Sequence, residues 1–201
     1  LLCVISESEK ISPYFDIPIQ HISNRVLKRM NRRSTKEQIY ELINKIRDRI
    51  PEAVLRTSLI AGFPGETEEE FSELYDFVNW AQFDRLGVFA YSREEGTPAD
   101  KLDGHLPEDV KSERAAKIMN LQRGISALKC KNKIGTAVKV LAEGKVNGKY
   151  VGRTITDAPD IDGKVFFTSD KNIQPGDFVY VKVINTGNYD LRGVDTDEFT
   201  K

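Results

Sequence analysis

Along the first 131 residues, short apolar runs alternate with stretches in which apolar residues recur every three or four positions. The runs are YFDIPIQ (Tyr14 to Gln20), AVLRTSLIAG (Ala53 to Gly62) and RLGVFAY (Arg85 to Tyr91). Pro18 argues against a helix in the first run and marks a strand end or an edge. The second run is apolar with little alternation, as a parallel strand buried on both faces would be. Helical spacing appears in Ile39, Leu42, Ile43, Ile46 and Ile50, which Pro51 stops, and again in Phe71, Leu74, Tyr75 and Val78. Ser23 opens about two helical turns. Ser34 to Glu37 (STKE) and Thr67 to Glu70 (TEEE) have the form of capping boxes. A long helix is predicted from near Pro107 to about Lys131. Strand and helix alternating at this spacing means parallel βα units, whose right-handed crossovers gather the loops after each strand on one rim.

Near Asn132 the period shortens. TAVKVLAEGKVNGKYVGRTITDAP predicts two strands joined at Asn147-Gly148, a strong hairpin signal. GKVFFTS, GDFVYVKVIN and YDLRGV supply further strands, with no helix between them. The expected fold class is therefore α/β: a partial (β/α) barrel over residues 1–131, then a small antiparallel β-barrel over 132–201.

Composition narrows the function classes. The chain has 201 residues, 39% hydrophobic and 30% charged, with 30 basic and 31 acidic residues for a net charge of −1. That balance gives no global pull toward nucleic acid or membrane. No apolar run approaches the ~18 residues of a membrane span. Cys3 and Cys130 stand alone, without a CxxC pattern, which fits a reducing, cytoplasmic setting. The opening LLCVISESEK reads as the tail of a helix, so the expectation is a piece of a longer protein.

Candidate chemistry collects at the ends of the three parallel strands, where ligands sit in such folds. These ends are Gln20-His21, Gly62-Phe63-Pro64-Gly65-Glu66 and Tyr91-Ser92-Arg93. Gly62 and Gly65 permit close backbone approach, and the start of the following helix favours anions. By itself this turn is equally a plain tight βα connection. It is not a phosphate-binding P-loop, because no Gly-Lys-Ser/Thr follows. His21 is either a hydrogen-bonded packing residue or, with Asp16, Gln20 and Arg32, part of a polar site. Arg32 is either a solvated charge or a bidentate carboxylate partner. His105, in a Gly/Pro/Asp-rich loop, reads as surface.

Together, YFDIPIQHISNRVLKRMNRR, RTSLIAGFPGETEEEF and LGVFAYSREEGTPA resemble, in order and spacing, the back half of the radical S-adenosylmethionine domain of methylthiotransferases. YVGRTITDAPDIDGKVFF and GDFVYVKV resemble the TRAM domain that ends those proteins. DIPIQH and DAPDIDG are closer to the branch that methylthiolates an aspartate β-carbon of a small-subunit ribosomal protein. The branch that acts on tRNA adenosines usually has Gln-Ser-Gly where Gln20-His21-Ile22 stands here. A non-catalytic ribosome- or RNA-binding module is the remaining alternative.

The resemblance implies that Gln20, Arg32, Ser58, Ile60, Gly62 and Ser92 contact S-adenosylmethionine, with Asp16, His21 and Glu66 on the substrate side. It also implies two 4Fe-4S clusters, one on a CxxxCxxC motif. No such motif occurs here, so the chain alone is expected to hold no cluster and to be inactive. The barrel carries Lys133, Lys139, Lys145, Lys149 and Arg153 beside Asp157, Asp160, Asp162, Asp170 and Asp177. That mixture suits a basic ribosomal protein better than a phosphate backbone, with ribosome or tRNA as the other partners and no membrane.

Overall fold

The computed structural model describes residues 1–8 and 10–197. The chain divides after Gln122 into two compact units. The first runs α1 (Leu2–Glu7), β1 (Tyr14–Asp16), α2 (Asn24–Arg29), α3 (Lys36–Arg49), β2 (Val54–Ala61), α4 (Glu68–Ala81) and β3 (Arg85–Ala90), then a 3-10 turn at Ala99–Lys101. Helix α5 (Glu108–Lys131) starts in this unit and ends in the next. The strands are parallel in the order β1-β2-β3, with Asp16 opposite Arg56 and Ile60 opposite Phe89. This is the arrangement expected of part of a (β/α) barrel. Pro18 ends the β1 ladder, which resumes as one isolated pairing of Gln20 with Leu59.

Strand β2 departs from its expected burial. Leu55, Thr57, Leu59 and Ala61 are buried, while Arg56, Ser58 and Ile60 between them are only half-buried. Alternation of side chains along a strand gives one face to the core, which Ile39, Ile43, Ile46, Phe71, Leu74, Phe77 and Val78 fill from α3 and α4. The other face is open among the described residues: Phe89, beside Ile60, is 62% exposed.

Helix starts follow local chemistry, with one shift of frame. Thr67 and Glu70 form a capping box at α4 as predicted. At α3 the box is Thr35 with Gln38, one residue later than Ser34–Glu37. Both frames satisfy the S/T-x-x-E/Q pattern. Asn24 settles the choice: its side chain accepts from Lys36 N–H and donates to Glu37, which removes Glu37 from capping. Leu42 and Tyr75, expected on buried faces, are exposed, and Phe77 and Ala81 are buried instead.

The second unit contains β4 (Ala137–Val146), β5 (Lys149–Thr154), β6 (Val165–Thr168), β7 (Phe178–Thr186) and β8 (Leu191–Asp195), closed as a barrel in the order β4-β5-β6-β8-β7. Asn147 and Gly148 both have positive φ, 50° and 78°, which is the turn a two-residue hairpin needs. The barrel is not wholly antiparallel. β6 pairs parallel with β8, because β7 enters the order between them in sequence but not in space. Val140, Ala142, Val165, Phe167, Val181, Val183 and Leu191 fill the interior. Closure leaves no room at Gly193, where a Cβ would lie 2.3 Å from the Lys182 carbonyl oxygen and 2.5 Å from Val181 Cγ1.

Two stability predictions follow from these contacts. Gly193→Ala should destabilise the barrel by about 1–3 kcal/mol, read as a lowered denaturation midpoint. The second concerns Glu70. Burial pushes its carboxyl up, but hydrogen bonds from Arg25, Thr67 N–H and Ser23 outweigh that and hold it at about 2, below the ordinary glutamate value of 4.5. A depressed carboxyl contributes stability above its unfolded value, and that contribution is lost as pH falls through the folded value. Glu70→Gln should therefore remove up to about 3 kcal/mol at neutral pH. It should also flatten the acid unfolding profile between pH ~4.5 and ~2.

Candidate functional site

The ends of the three parallel strands are tied side by side. Gln20 donates its N–H to Ser58 O (2.9 Å) and accepts from Ile60 N–H (2.8 Å), so its backbone clasps β2 on both sides of Leu59. It does so at φ 70°, a left-handed setting uncommon outside glycine. Tyr91 N–H donates to Ala61 O (2.9 Å), which sets Ser92 beside the Gly62 turn. Behind these junctions lies an apolar cluster of Val26, Phe63 and Tyr91, against which Met30, Ile60, Ala99 and Leu102 pack. The Phe63 and Tyr91 rings meet edge to face at 5.2 Å.

The remaining rim candidates are more open. Ser92 is exposed and its Oγ donates to Glu94 (3.0 Å). Arg32 is exposed and donates to Pro18 O (3.2 Å), so it folds back over the end of the first strand. Asp16 is ion-paired with Arg56 across β1 and β2. His105, expected at the surface, is half-buried: it bonds the Asp100 carbonyl and its ring lies 5.9 Å from Tyr91.

The turn from Gly62 to Glu66 is bonded mostly to its own protein. Gly62 and Gly65 have φ of 74° and 79°. A Cβ on Gly62 would lie 2.3 Å from Lys111 Cγ. Three arginines cap successive carbonyls: Arg29 on Pro64 O, Arg25 on Gly65 O and Arg114 on Glu66 O. The amides are also used, Gly62 N–H by the Glu66 carboxylate, Gly65 N–H by Gly104 O and Glu66 N–H by Phe63 O. Glu68, Glu69 and Glu70 add negative charge to the first turn of α4. The anion seat that a helix start offers in principle is therefore closed here.

Beneath the turn lies a buried polar network. The Glu66 carboxylate accepts from Gly62 N–H (3.0 Å to each oxygen), from His21 Nε2 (3.1 Å) and from Arg114 Nη1 (2.6 Å). Side-chain exposure is 0% for His21 and Glu66 and 8% for Arg114. Ser23 N–H donates to His21 Nδ1 (3.0 Å), which leaves Nε2–H to face Glu66. Arg114 also reaches Glu68 and stacks over Phe71 at 5.1 Å. Lys111, 2% exposed, donates to Tyr91 O (2.9 Å) from one turn earlier on α5. Burial pushes the Tyr91 phenol up.

Against the sequence expectations, Gln20, Ile60, Gly62 and Ser92 come to adjacent strand ends, with Arg32 and Ser58 bordering them. His21 and Glu66 do not line an open wall. Both side chains turn inward and bond each other, because each needs a polar partner once buried. Sequence reasoning missed Arg25, Arg29, Lys111 and Arg114. The available signal was the spacing of Lys111, Arg114, Ile118 and Gln122 along one helix face, buried positions that hydrophobic patterning ignores. Among the described residues no group of three or more His, Cys, Asp or Glu side chains is placed to hold a metal ion. No helix among them is long and apolar enough to cross a membrane.

A family model of the Radical SAM superfamily matches residues 5–78, and one of the TRAM domain matches residues 134–194. Three similar proteins bear the name ribosomal protein uS12 methylthiotransferase RimO. That of Pelotomaculum thermopropionicum is 53% identical over 196 residues, covering 96% of this chain and 44% of that protein. That of Clostridium novyi is 52% identical over 194 residues, with the same coverage. That of Acetivibrio thermocellus is 49% identical over 203 residues, covering 100% of this chain and 45% of that protein. The chain thus spans less than half the length of the relatives it matches. Residues 5–78 thus carry the match to the Radical SAM superfamily, and residues 134–194, within the second unit, carry the match to the TRAM domain.

Proposed function

We propose that this chain is part of a radical SAM methylthiotransferase that modifies the β-carbon of an aspartate in a small-subunit ribosomal protein, in the cytoplasm. The observation that supports it most is the meeting of Gln20, Gly62 and Ser92 at neighbouring strand ends, next to an apolar bed. Those residues fit the adenosyl part of S-adenosylmethionine. The Gln20 backbone is consumed by β2, which leaves its side-chain amide for ribose or the methionine moiety. Ile60 and the apolar cluster suit a flat base. Gly62 has no spare N–H and Lys111 fills the space beside it, so its part is to shape the turn rather than to donate. Arg32, folded over the end of the first strand, would meet a carboxylate in bidentate fashion. Ser58, half-buried on the open face of β2, and Ser92 offer hydroxyls to the ribose edge.

Bound S-adenosylmethionine supplies the radical chemistry that an unactivated carbon–hydrogen bond requires. The iron–sulfur clusters that reaction depends on do not fit this chain. Its two cysteines are an exposed Cys3 and a Cys130 buried in the barrel core, and no cluster motif is present. The role of these residues is to bind and aim the adenosyl group while the open sheet face admits the substrate side chain.

For the partner, one observation favours a second reading, contact with RNA. Outward positions of β4, β7 and β8 carry Lys139, Lys182 and Arg192 with Phe178, Tyr180 and Ile184. Lys139 lies 4.8 Å from the Phe178 ring centre. The acids Asp157, Asp160, Asp162, Asp170 and Asp177 lie in the connecting loops instead. Such a stripe offers stacking faces beside phosphate partners.

The deciding experiment uses the full-length protein, reconstituted without oxygen and given small ribosomal subunits or tRNA in parallel. Mass spectrometry should find one methylthio group on an aspartate of a ribosomal protein. Modification of tRNA alone would overturn the substrate assignment. Gln20→Ala should weaken S-adenosylmethionine binding by about tenfold, measured by equilibrium dialysis. The 201-residue chain alone should show no stoichiometric cluster absorbance after the same reconstitution.

A further inference from the structure

Two backbone settings at the rim are held from below. Gln20 is left-handed at φ 70°, although it carries a side chain, and Gly62 is left-handed at φ 74° against Lys111. A side chain aims where its backbone points it, so the direction of the Gln20 amide depends on that φ. The residue after Gln20 is His21, and the residue that grips Gly62 N–H is Glu66. The two are bonded to each other at 3.1 Å with no solvent access.

We propose that His21, Glu66 and Arg114 are positioning residues whose buried tie fixes the Gln20 backbone and the Gly62 turn. They would thereby set the affinity of the rim for an adenosyl ligand that none of the three touches. This rests on the function proposed above. Each link has one geometric task. Ser23 N–H to Nδ1 and Nε2–H to Glu66 hold the imidazole at both ends, so the chain cannot untwist at Gln20 without breaking a buried bond. The Glu66 carboxylate returns four residues to Gly62 N–H and closes the turn on itself. Arg114 balances the carboxylate charge and, through Glu66 O (3.1 Å), fixes the exit of the turn into α4.

The difficulty in testing such a tie is that removing one partner leaves a buried charge unpaired, which destabilises the fold by itself. A charge-matched pair separates the effects. The test uses the full-length, cluster-loaded protein with S-adenosylhomocysteine as a non-cleavable probe, titrated by calorimetry, and a thermal midpoint measured without probe. Glu66→Gln should lower both midpoint and affinity. Glu66→Gln with Arg114→Gln should recover most of the midpoint, while affinity stays roughly 10- to 100-fold down. His21→Ala should weaken the probe as well. Adding it to Glu66→Gln should cost less than the sum of the two, since both alter the one His21–Glu66 contact. Recovery of wild-type affinity together with stability in the double variant would overturn the proposal, as would strict additivity of His21→Ala and Glu66→Gln. If the wild-type protein takes up no probe, the functional reading fails separately and amide exchange judges the tie. Faster exchange at Gly62 and Ser23 in the charge-matched variant, with other protected amides unchanged, supports it. Unaltered exchange at both overturns it.

Discussion

A carboxylate with no access to water is costly, because the effective penalty for taking an ion out of solvent is several kcal/mol. Glu66 meets that penalty with a guanidinium, an imidazole N–H and a backbone N–H drawn from three separate parts of the chain. None of these partners serves unless the others are present. Arg114 without Glu66 is itself a buried charge, and His21 without Glu66 loses the acceptor for its ring proton. The end of the first strand, the turn after β2 and the start of α5 are therefore fixed by one local balance of charge and hydrogen bonds.

That balance shapes what the rim can recognise. Arginines from α2 and α5 occupy the carbonyls of the turn, and internal bonds occupy its amides. A ligand meets side chains and an apolar bed rather than a cradle of backbone N–H groups. Under the function proposed above, an adenosyl group with a few polar contacts suits such a surface, whereas a phosphate, which needs convergent donors, does not.

The second unit uses a different constraint. Closing five short strands into a barrel forces backbones together at Gly193 and assigns alternate residues to the inside. The same alternation sorts the outside. Lys139, Lys182, Arg192, Phe178 and Tyr180 fall on the strand faces, and Asp157, Asp160, Asp162, Asp170 and Asp177 fall in the loops, while Glu143 in β4 and Asp195 in β8 are the acids that stay on strands. In the linear sequence these charges are interleaved and look like an ordinary solvated mixture.

The amino-acid sequence by itself determined the order of elements, the Asn147-Gly148 hairpin, the Thr67 cap and the parallel sheet, since each depends on residues within one helical turn or one strand. The three strand-end motifs were legible for the same reason: strand alternation and crossover handedness place them on one rim without knowledge of packing. Only the tertiary structure decided the rest. Whether STKE or the next frame capped α3 depended on Asn24, which no local pattern includes. That β2 is buried on one face depended on which layers pack on it. That His21 and Glu66 face each other, and that Lys111 and Arg114 are interior residues, depended on pairings 45 and 48 residues apart in sequence for His21–Glu66 and Glu66–Arg114. A charged side chain reads as surface until its partner is known, because burial becomes affordable only when the opposite charge is already in place.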